Sequence, residues 1–297
     1  MSKTLAAVAT QFLDRQGLAK STRLSYELTL QPLLERYGSW PIEIIDRSAL
    51  EEYLNSLNHL AYTTHHRHQS IIQSLFNFAV ESGVLKSNPI ARLKRRKPDP
   101  EQGEHTSDQI RYLTPEQLQL LYQVTAKDTR MNALIHLLHR SGARISEVLA
   151  LDYTDLDLED RKFRVIGKGN KYRWCFYSPD AAQAIAKYCR FSRHSEHPAL
   201  FTAAHRFSGQ LTRMSYPTAY QHWIRLTRPV PELNKIRLHD LRHTFATERV
   251  GLMGIEELRA LMGHDNIQTT LRYQKVTSQR AETVAHKALN LLLNPKQ

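Results

Sequence analysis

Residues 239 to 243 read HDLRH: two histidines four apart, with an acid and an arginine between them. On a helix, His239, Arg242 and His243 emerge on one face, because side chains three and four positions apart are neighbours there. Three chemistries suit such a face. A zinc site of the H-E-x-x-H kind wants two neutral imidazoles, an acid long enough to act as base and a third ligand from elsewhere. Here the acid is the shorter Asp240, and Arg242, a guanidinium that keeps its charge, shares the ligand face. That cation repels a metal dication and suits a phosphate, whose oxygens a guanidinium grips through parallel N–H groups. A plain basic helix on a DNA-binding surface is the third reading. Phosphate ranks first of the three and zinc last.

Other residues able to do chemistry lie on either side of it. In LMGHDNIQTTLRYQKV, His264 follows a glycine that ends one helix, and Tyr273 lies about two turns into the next. Upstream, SGARISEVLAL carries Arg144, and GKGNKYR carries Lys168 between two glycines. Taken singly, each has a plainer use. His264 reads as a helix cap, Tyr273 as a half-buried packing residue, Arg144 as a surface arginine and Lys168 as a solvated turn lysine.

The elements that hold these residues follow from local pattern. Helical spacing of apolar residues runs through STRLSYELTLQPLLERYG, SALEEYLNSLNHL and THHRHQSIIQSLFNFAVESG, with Gly38 and Gly83 where helix C-termini want them. The segment KSNPIARLKRRKPDPEQGEHTSDQIRYL, rich in proline and charge and poor in apolar residues, reads as an extended linker. The expected division is a helical domain over 1–98, a linker over 99–111 and a second domain over 112–297. Thr114, Pro115 and Gln117 predict a capped helix start, and TRMNALIHLLHR predicts a helix stopping at Ser141 and Gly142. A further helix begins near Arg144. KFRVIGKGNKYRWCFY then changes period, with β-branched and aromatic runs flanking Gly167, Lys168, Gly169 and Asn170, which is hairpin chemistry. Beyond Pro179 helices are expected to the end. The fold class expected is mainly α: a helical domain followed by a mixed α/β domain with one small antiparallel sheet.

Composition narrows the partners. The 297 residues have room for one large domain or two ordinary ones, and an apolar content of 41% fills a core in each. Lysine and arginine number 41 against 29 acids, a formal charge of +12, which draws polyanions before any specific contact forms. Nucleic acid is the leading partner. An anionic membrane surface and plain solubility also use such charge, but no basic amphipathic helix with a Trp/Phe/Leu face stands out. No run approaches the roughly twenty apolar residues that span a bilayer, so a cytoplasmic location is expected. Cys175 and Cys189 have neither metal-type spacing nor the density of a secreted scaffold and are expected to be reduced thiols.

Taken as an ordered set, SGARISEVLAL, GKGNKYR, LHDLRH, MGH and Tyr273 resemble the tyrosine recombinase family, also called the phage integrase family, and among its members the Xer-type two-domain recombinases. The likeness spans the whole second domain. It extends less sharply to the first, where STRLSYELTLQPLLERYG and FAVESGVLKSNPIARLKRRK resemble the family's core-binding domain. The resemblance implies a site-specific DNA recombinase that cuts and rejoins DNA through a 3′-phosphotyrosyl link, for integration, excision or dimer resolution. The alternatives left beside it are a transposon- or phage-encoded integrase and a type IB topoisomerase-like enzyme.

It also implies roles. Arg144 and Arg242 would clamp the non-bridging oxygens of a phosphorane-like transition state, and His264 would add a hydrogen bond to them. Tyr273 would be the nucleophile. His239, which titrates in the right range, would take the phenolic proton. Lys168, with Lys171 as its local rival, would protonate the departing 5′-oxygen. Glu147 would orient Arg144 or His239, or else be an exposed helix acid. His243 is expected to support its helix. Because the covalent link keeps the energy of the broken bond, no ATP, metal or other cofactor is expected. His65, His66, Arg67, His68 and Gln69 are candidates to face a major groove. The helix after Tyr273, with Val284, Ala288, Leu289 and Leu292 on one side, is expected to dock on a neighbouring protomer of a homo- or hetero-tetramer on DNA.

Overall fold

A computed structural model describes residues 2–99, 110–167, 172–205 and 208–276, together with 285, 286, 289, 290 and 293. The chain divides into two compact units, Met1–Asp108 and Gln109–Gln297.

Among its described residues the first unit has four α-helices, α1 (Leu5–Asp14), α2 (Lys20–Tyr37), α3 (Arg47–Ser56) and α4 (Tyr62–Glu81), with a 3-10 turn over Ile42–Ile44. Two start on side-chain caps, the Thr4 hydroxyl accepting from the Ala7 amide and the Asp46 carboxylate from that of Ala49. α2 ends against Gly38, and Gly83, just past α4, takes the left-handed φ of +70° that ends a helix cheaply only as glycine. Leu5, Phe12, Leu30, Leu33, Leu50, Ile72, Leu75 and Phe76 are fully buried between the four helices.

The groove-facing expectation for α4 fails at two positions. His65 and Gln69 are 4% and 1% exposed. Gln69 donates to the Leu93 carbonyl at 3.0 Å, His65 Nε2 lies 3.0 Å from the Leu54 carbonyl, and His66 Nε2 lies 2.9 Å from that of Arg96. Gln73 adds a bond to the Ile90 carbonyl at 3.0 Å. The physical reason lies in carbonyls that need donors: Leu54, met by His65, stands in the last turn of α3, and Ile90, Leu93 and Arg96 stand in the segment after α4, which has no ladder of its own. The polar side of α4 supplies the donors.

The second unit begins with α5 (Pro115–Thr125), where the Thr114 hydroxyl accepts from the Gln117 amide and the Gln117 side chain accepts from the Thr114 amide. Next come α6 (Thr129–Ser141), α7 (Ile145–Ala150), β1 (Leu156–Asp157), β2 (Lys162–Ile166), β3 (Tyr172–Phe176) and α8 (Pro179–Phe191). β4 (Thr202–Ala204), β5 (Leu211–Arg213), α9 (Tyr216–Thr227), α10 (Asp240–Arg249), α11 (Ile255–Met262) and α12 (Ile267–Leu271) complete the order, with a 3-10 turn over Arg272–Val276. α6 is the central helix; Met131, Leu134, Ile135, Leu137 and Leu138 are all buried on it. α8 and α10 pack on it, and Arg140 ties it to α8 through both of its bonds to Asp180.

β1, β2 and β3 form one antiparallel sheet, with Lys162 opposite Phe176 and Ile166 opposite Tyr172. A second ladder, β4 with β5, departs from the expectation of helices throughout beyond Pro179. Its strands are three residues each, too short to show alternation in the sequence. Of the apolar side expected after Tyr273, only Leu289 is among the described residues, and it is 55% exposed. No helix among the described residues is long and apolar enough to cross a membrane.

Candidate active site

α10 starts where its sequence changes from loop to helix. His239 sits at the N-cap with helical φ and ψ, and Asp240 is fully buried at the first position. Asp240 accepts from the Arg237 amide at 2.9 Å and from its guanidinium at 3.0 Å, while the Thr244 hydroxyl donates back to the Asp240 carbonyl at 2.8 Å. The acid of HDLRH is therefore spent on holding the helix start. It does not line the cleft formed by its neighbours.

Arg242 and His243 lie on the first turn of α10. Arg242 is 3% exposed. It donates to the carbonyls of Gly142 and Met262, one at the end of α6 and the other at the end of α11. Gly142 can sit at that helix end because its φ is +64°, and a Cβ there would lie 2.4 Å from the Phe245 ring. The third partner of Arg242 is His264 Nε2, at 3.2 Å. His264 follows Gly263, the left-handed cap of α11, and its Nδ1 lies 2.8 Å from the Thr270 hydroxyl. With Arg242 donating to Nε2, the ring proton rests on Nδ1. Donation from Nε2 to a phosphate oxygen needs the other tautomer, which the Thr270 hydroxyl allows by turning to donate.

Arg144 caps α7 and is tied to Glu147, whose carboxylate accepts from the Arg144 amide at 2.7 Å and from Nη1 at 3.0 Å. Its Nη2 donates to the Gly263 carbonyl at 3.2 Å. Arg144 and Arg242 thus bracket one turn, Met262 to His264. Tyr273, on the 3-10 turn after α12, is 3% exposed, and its hydroxyl lies 2.8 Å from Nδ1 of His243. The rings of His264 and Tyr273 lie parallel, 6.4 Å apart. His239 stands edge-on to His243 at 4.8 Å, and its side chain makes no hydrogen bond among the described residues.

These side chains line one cleft of about 250 Å³, whose walls are Arg144, His239, Arg242, His243, His264 and Tyr273 together with Ile110, Thr269 and Arg272. Of the six expected site residues, five meet there. Lys168 lies outside the described residues. His243, expected only to support its helix, is the group on the tyrosine hydroxyl. The spacing put both histidines on one helix face but did not say which of them meets the hydroxyl; that contact is set by where the turn carrying Tyr273 packs.

The electrostatics favour an anion. Burial, then the charges of Arg144 and Arg173, lower the Arg242 pKa to about 10, which leaves it a cation at neutral pH. Burial, followed by Arg242 and Arg144, lowers His264 to about 4; burial and then His239 lower His243 to about 4. His239 is open to solvent on one side, yet crowding by protein atoms and then Arg242 hold it below its ordinary value. Burial raises Tyr273, against the pull of Arg242, Arg272 and Arg144. The arrangement offers two guanidiniums and a neutral imidazole to an anion, beside a protonated phenol that touches a neutral base.

Among the described residues, no group of three His, Cys, Asp or Glu side chains is placed to hold a metal ion. Cys175 and Cys189 are free.

Comparison with known proteins fits this geometry. Residues 111–280 match the model of the Phage integrase family, and residues 5–96 match that of the Phage integrase central domain. The chain is 30% identical over 298 residues to tyrosine recombinase XerC of Herpetosiphon aurantiacus, covering 95% of this chain and 93% of that one. It is 28% identical over 305 residues to XerC of Roseiflexus castenholzii, covering 95% and 92%. Among solved structures, the Tn1549 transposon integrase in complex with a circular intermediate DNA aligns with a TM-score of 0.73 at 22% identity, over 92% of this chain and 95% of that one. The XerH site-specific recombinase, bound to a palindromic difH substrate in a post-cleavage complex, aligns with a TM-score of 0.69 at 21% identity, over 89% and 78%. At those identities the structures establish the shared fold, while the family models and the XerC relatives establish descent: the chain belongs to the phage integrase family and is a tyrosine recombinase.

Proposed function

We propose that this enzyme carries out site-specific recombination at a double-stranded DNA site, using Tyr273 as nucleophile. The observation that carries the reading is the single cleft in which two arginines and His264 converge beside a tyrosine hydroxyl already hydrogen-bonded to an imidazole. The Tyr273 oxygen attacks the scissile phosphorus, and the bond from phosphorus to the 5′-oxygen breaks. The phenolic proton passes to His243, and a proton from a general acid goes to the departing oxygen. Lys168 is proposed as that acid from the family resemblance. His239, first expected to be the base, has no contact with the hydroxyl and stands behind His243 as the next imidazole. Arg144, Arg242 and His264 hold the charge that builds on the non-bridging oxygens.

Energy of the broken phosphodiester is kept in the tyrosyl link, so rejoining needs no ATP, and the donor set needs no metal. The first unit and the basic segment after α4 would add phosphate contacts whose strength falls with salt. Each protomer brings one nucleophile and two duplexes carry four strands, which favours a tetramer, with the segment after Tyr273 docking on a neighbour. Cytoplasmic residence belongs to the same proposal.

The test uses DNA recovered from the protein by crosslinking, rebuilt as a duplex with a nick beside the cleavage point so that rejoining is blocked. Incubation with chelator present should give a protein–DNA adduct that survives denaturation in the wild type and is absent in Tyr273→Phe. No adduct, or an adduct that persists in Tyr273→Phe, overturns the proposal.

A further inference from the structure

We infer that Arg173 is a positioning residue for strand cleavage: it offsets the charge of Glu147, so that Arg144 keeps its own charge for the phosphate, and it seats the turn that presents His264. The inference rests on the reading of Arg144 as a phosphate clamp.

The strand pattern is the first sign. With Val165 opposite Arg173 and Arg164 opposite Trp174, alternation sends Tyr172, Trp174 and Phe176 outward, at 56%, 47% and 51% exposure. Arg173 goes inward, its side chain only 11% exposed. Apolar burial alone would turn β3 the other way, three aromatics in and an arginine out. The opposite choice needs a buried partner, and Glu147, 9% exposed, is that partner.

The contact is a two-pronged fork. Arg173 Nη1 donates to Glu147 Oε1 at 2.8 Å and Nη2 to Oε2 at 2.7 Å. The same two oxygens accept from Arg144, Oε1 from its Nη1 and Oε2 from its amide. Burial works to raise the Glu147 carboxyl, but the hydrogen bonds from Arg173 and from the Arg144 amide outweigh it and keep the group ionised. Two guanidiniums on one carboxylate leave a net positive charge. Without Arg173 that charge is zero, and the carboxylate draws the Arg144 guanidinium onto itself.

Arg173 also reaches the other end of Arg144. Its Nε donates to the Leu261 carbonyl at 3.0 Å, and its Cδ and Nε lie 2.9 and 3.0 Å from where a Cβ on Gly263 would stand. Only a glycine lets the guanidinium lie so close to that turn. The Gly263 carbonyl is the second anchor of Arg144, and His264 is the next residue. One side chain from β3 therefore sets the carboxylate and the turn between which Arg144 is held.

The test is single-turnover cleavage of the nicked duplex, with either an ordinary scissile phosphodiester or a methylphosphonate in which a neutral methyl replaces one charged oxygen. Arg173→Gln should lose on the order of a hundred-fold in rate on the phosphodiester, the scale of one missing transition-state donor, with DNA affinity little changed and the thermal midpoint lowered by the broken buried pair while the fold is kept. On the methylphosphonate, which has less charge to neutralise, the loss should shrink to below about ten-fold. Adding Glu147→Gln to Arg173→Gln should recover most of the phosphodiester rate, since the charge that masks Arg144 is gone. Equal losses on the two substrates, or no recovery in the double variant, overturn the inference and leave Arg173 a part of the fold alone. If Arg173→Gln does not fold, Arg173→Lys reads the charge directly: it keeps the cation that offsets Glu147, so most of the phosphodiester rate should be retained, and a loss on the order of a hundred-fold in the folded variant overturns the inference. A wild type that forms no adduct on either substrate removes the recombinase reading itself, a separate failure.

Discussion

Replacing His243 with asparagine removes the imidazole that touches the hydroxyl of Tyr273, the proposed nucleophile, and leaves a polar group of similar reach. In the structure Nδ1 of His243 lies 2.8 Å from the Tyr273 hydroxyl. The imidazole pKa is about 4, while burial lifts the phenol above its ordinary 10.0. The gap between them is therefore more than six, which makes ground-state proton transfer uphill by at least about 8 kcal/mol. A phenolate waiting beside an imidazolium is not populated. Transfer accompanies bond formation to phosphorus, when the tyrosine oxygen becomes far more acidic, and general base catalysis of that kind contributes about 10² to 10⁴ in rate. His243→Asn is expected to lose that much, about 3 to 5 kcal/mol of barrier. In single-turnover cleavage of the nicked duplex from about pH 5.5 to about 8.5, the wild type should show no limb from this base, because His243 is already unprotonated. The variant should gain about ten-fold per pH unit as hydroxide takes over the proton. A loss below about five-fold with the wild-type profile retained would refute the assignment. A large loss in His239→Asn alone would then return the role to His239.

Two further outcomes follow from the site's construction. Gly142→Ala places a methyl at φ +64° and within 2.4 Å of the Phe245 ring, beneath the carbonyl that Arg242 grips; the midpoint of thermal unfolding should fall by several degrees, at about 2–4 °C per kcal/mol for a unit of this size, and cleavage should fall with it. His243 and His264, at about 4 in the folded chain, bind protons more readily when unfolded, near 6.5. Their contribution to stability is therefore full above about pH 6.5 and is lost as the pH falls toward about 4, so the urea midpoint should drop between about pH 7.5 and about pH 5, and less so in the His243→Asn, His264→Asn double variant.

What the sequence shows of this molecule depends on how local the physics is. The capping box at Thr114, the helix stop at Gly142 and the hairpin of β2 and β3 are legible because neighbours in sequence make them. Arg144, Arg242, His264 and Tyr273 are legible as a set only through their order and its resemblance to the tyrosine recombinase family, since taken singly each has a plainer use. Arg173 is not legible, since alternation in YRWCF marks the aromatic face as the buried one, and only Glu147, 26 residues earlier, reverses it. The inward turn of His65 and Gln69 is hidden for the same reason. Their partners are carbonyls of a segment 24 or more residues onward for Gln69 and 11 residues back for His65, and no periodicity records a carbonyl in search of a donor.

The electrostatics of the cleft bear on the proposed chemistry, in which charge stabilisation is directed at the transition state more than at the bound substrate. Arg144 and Arg173 share the Glu147 carboxylate, and after burial their charges contribute to lowering Arg242 and, together with Arg242, His264. A phosphate entering the cleft would relieve the repulsion between these cations, and Arg242 and His264 would move back toward their ordinary pKa values. For His264 the change favours the proton-bearing state of Nε2 that donates to oxygen. The phosphorane carries more negative charge on its non-bridging oxygens than the diester does, so the relief is greatest where the barrier is highest. The two arginines are held in place by carbonyls of Gly142, Met262 and Gly263 before DNA arrives, so little reorganisation is needed at the moment of attack. A lysine at position 242 would keep the charge but could not hold two carbonyls and a histidine in one plane, so Arg242→Lys gives up the preorganisation that turns repulsion in the free enzyme into rate.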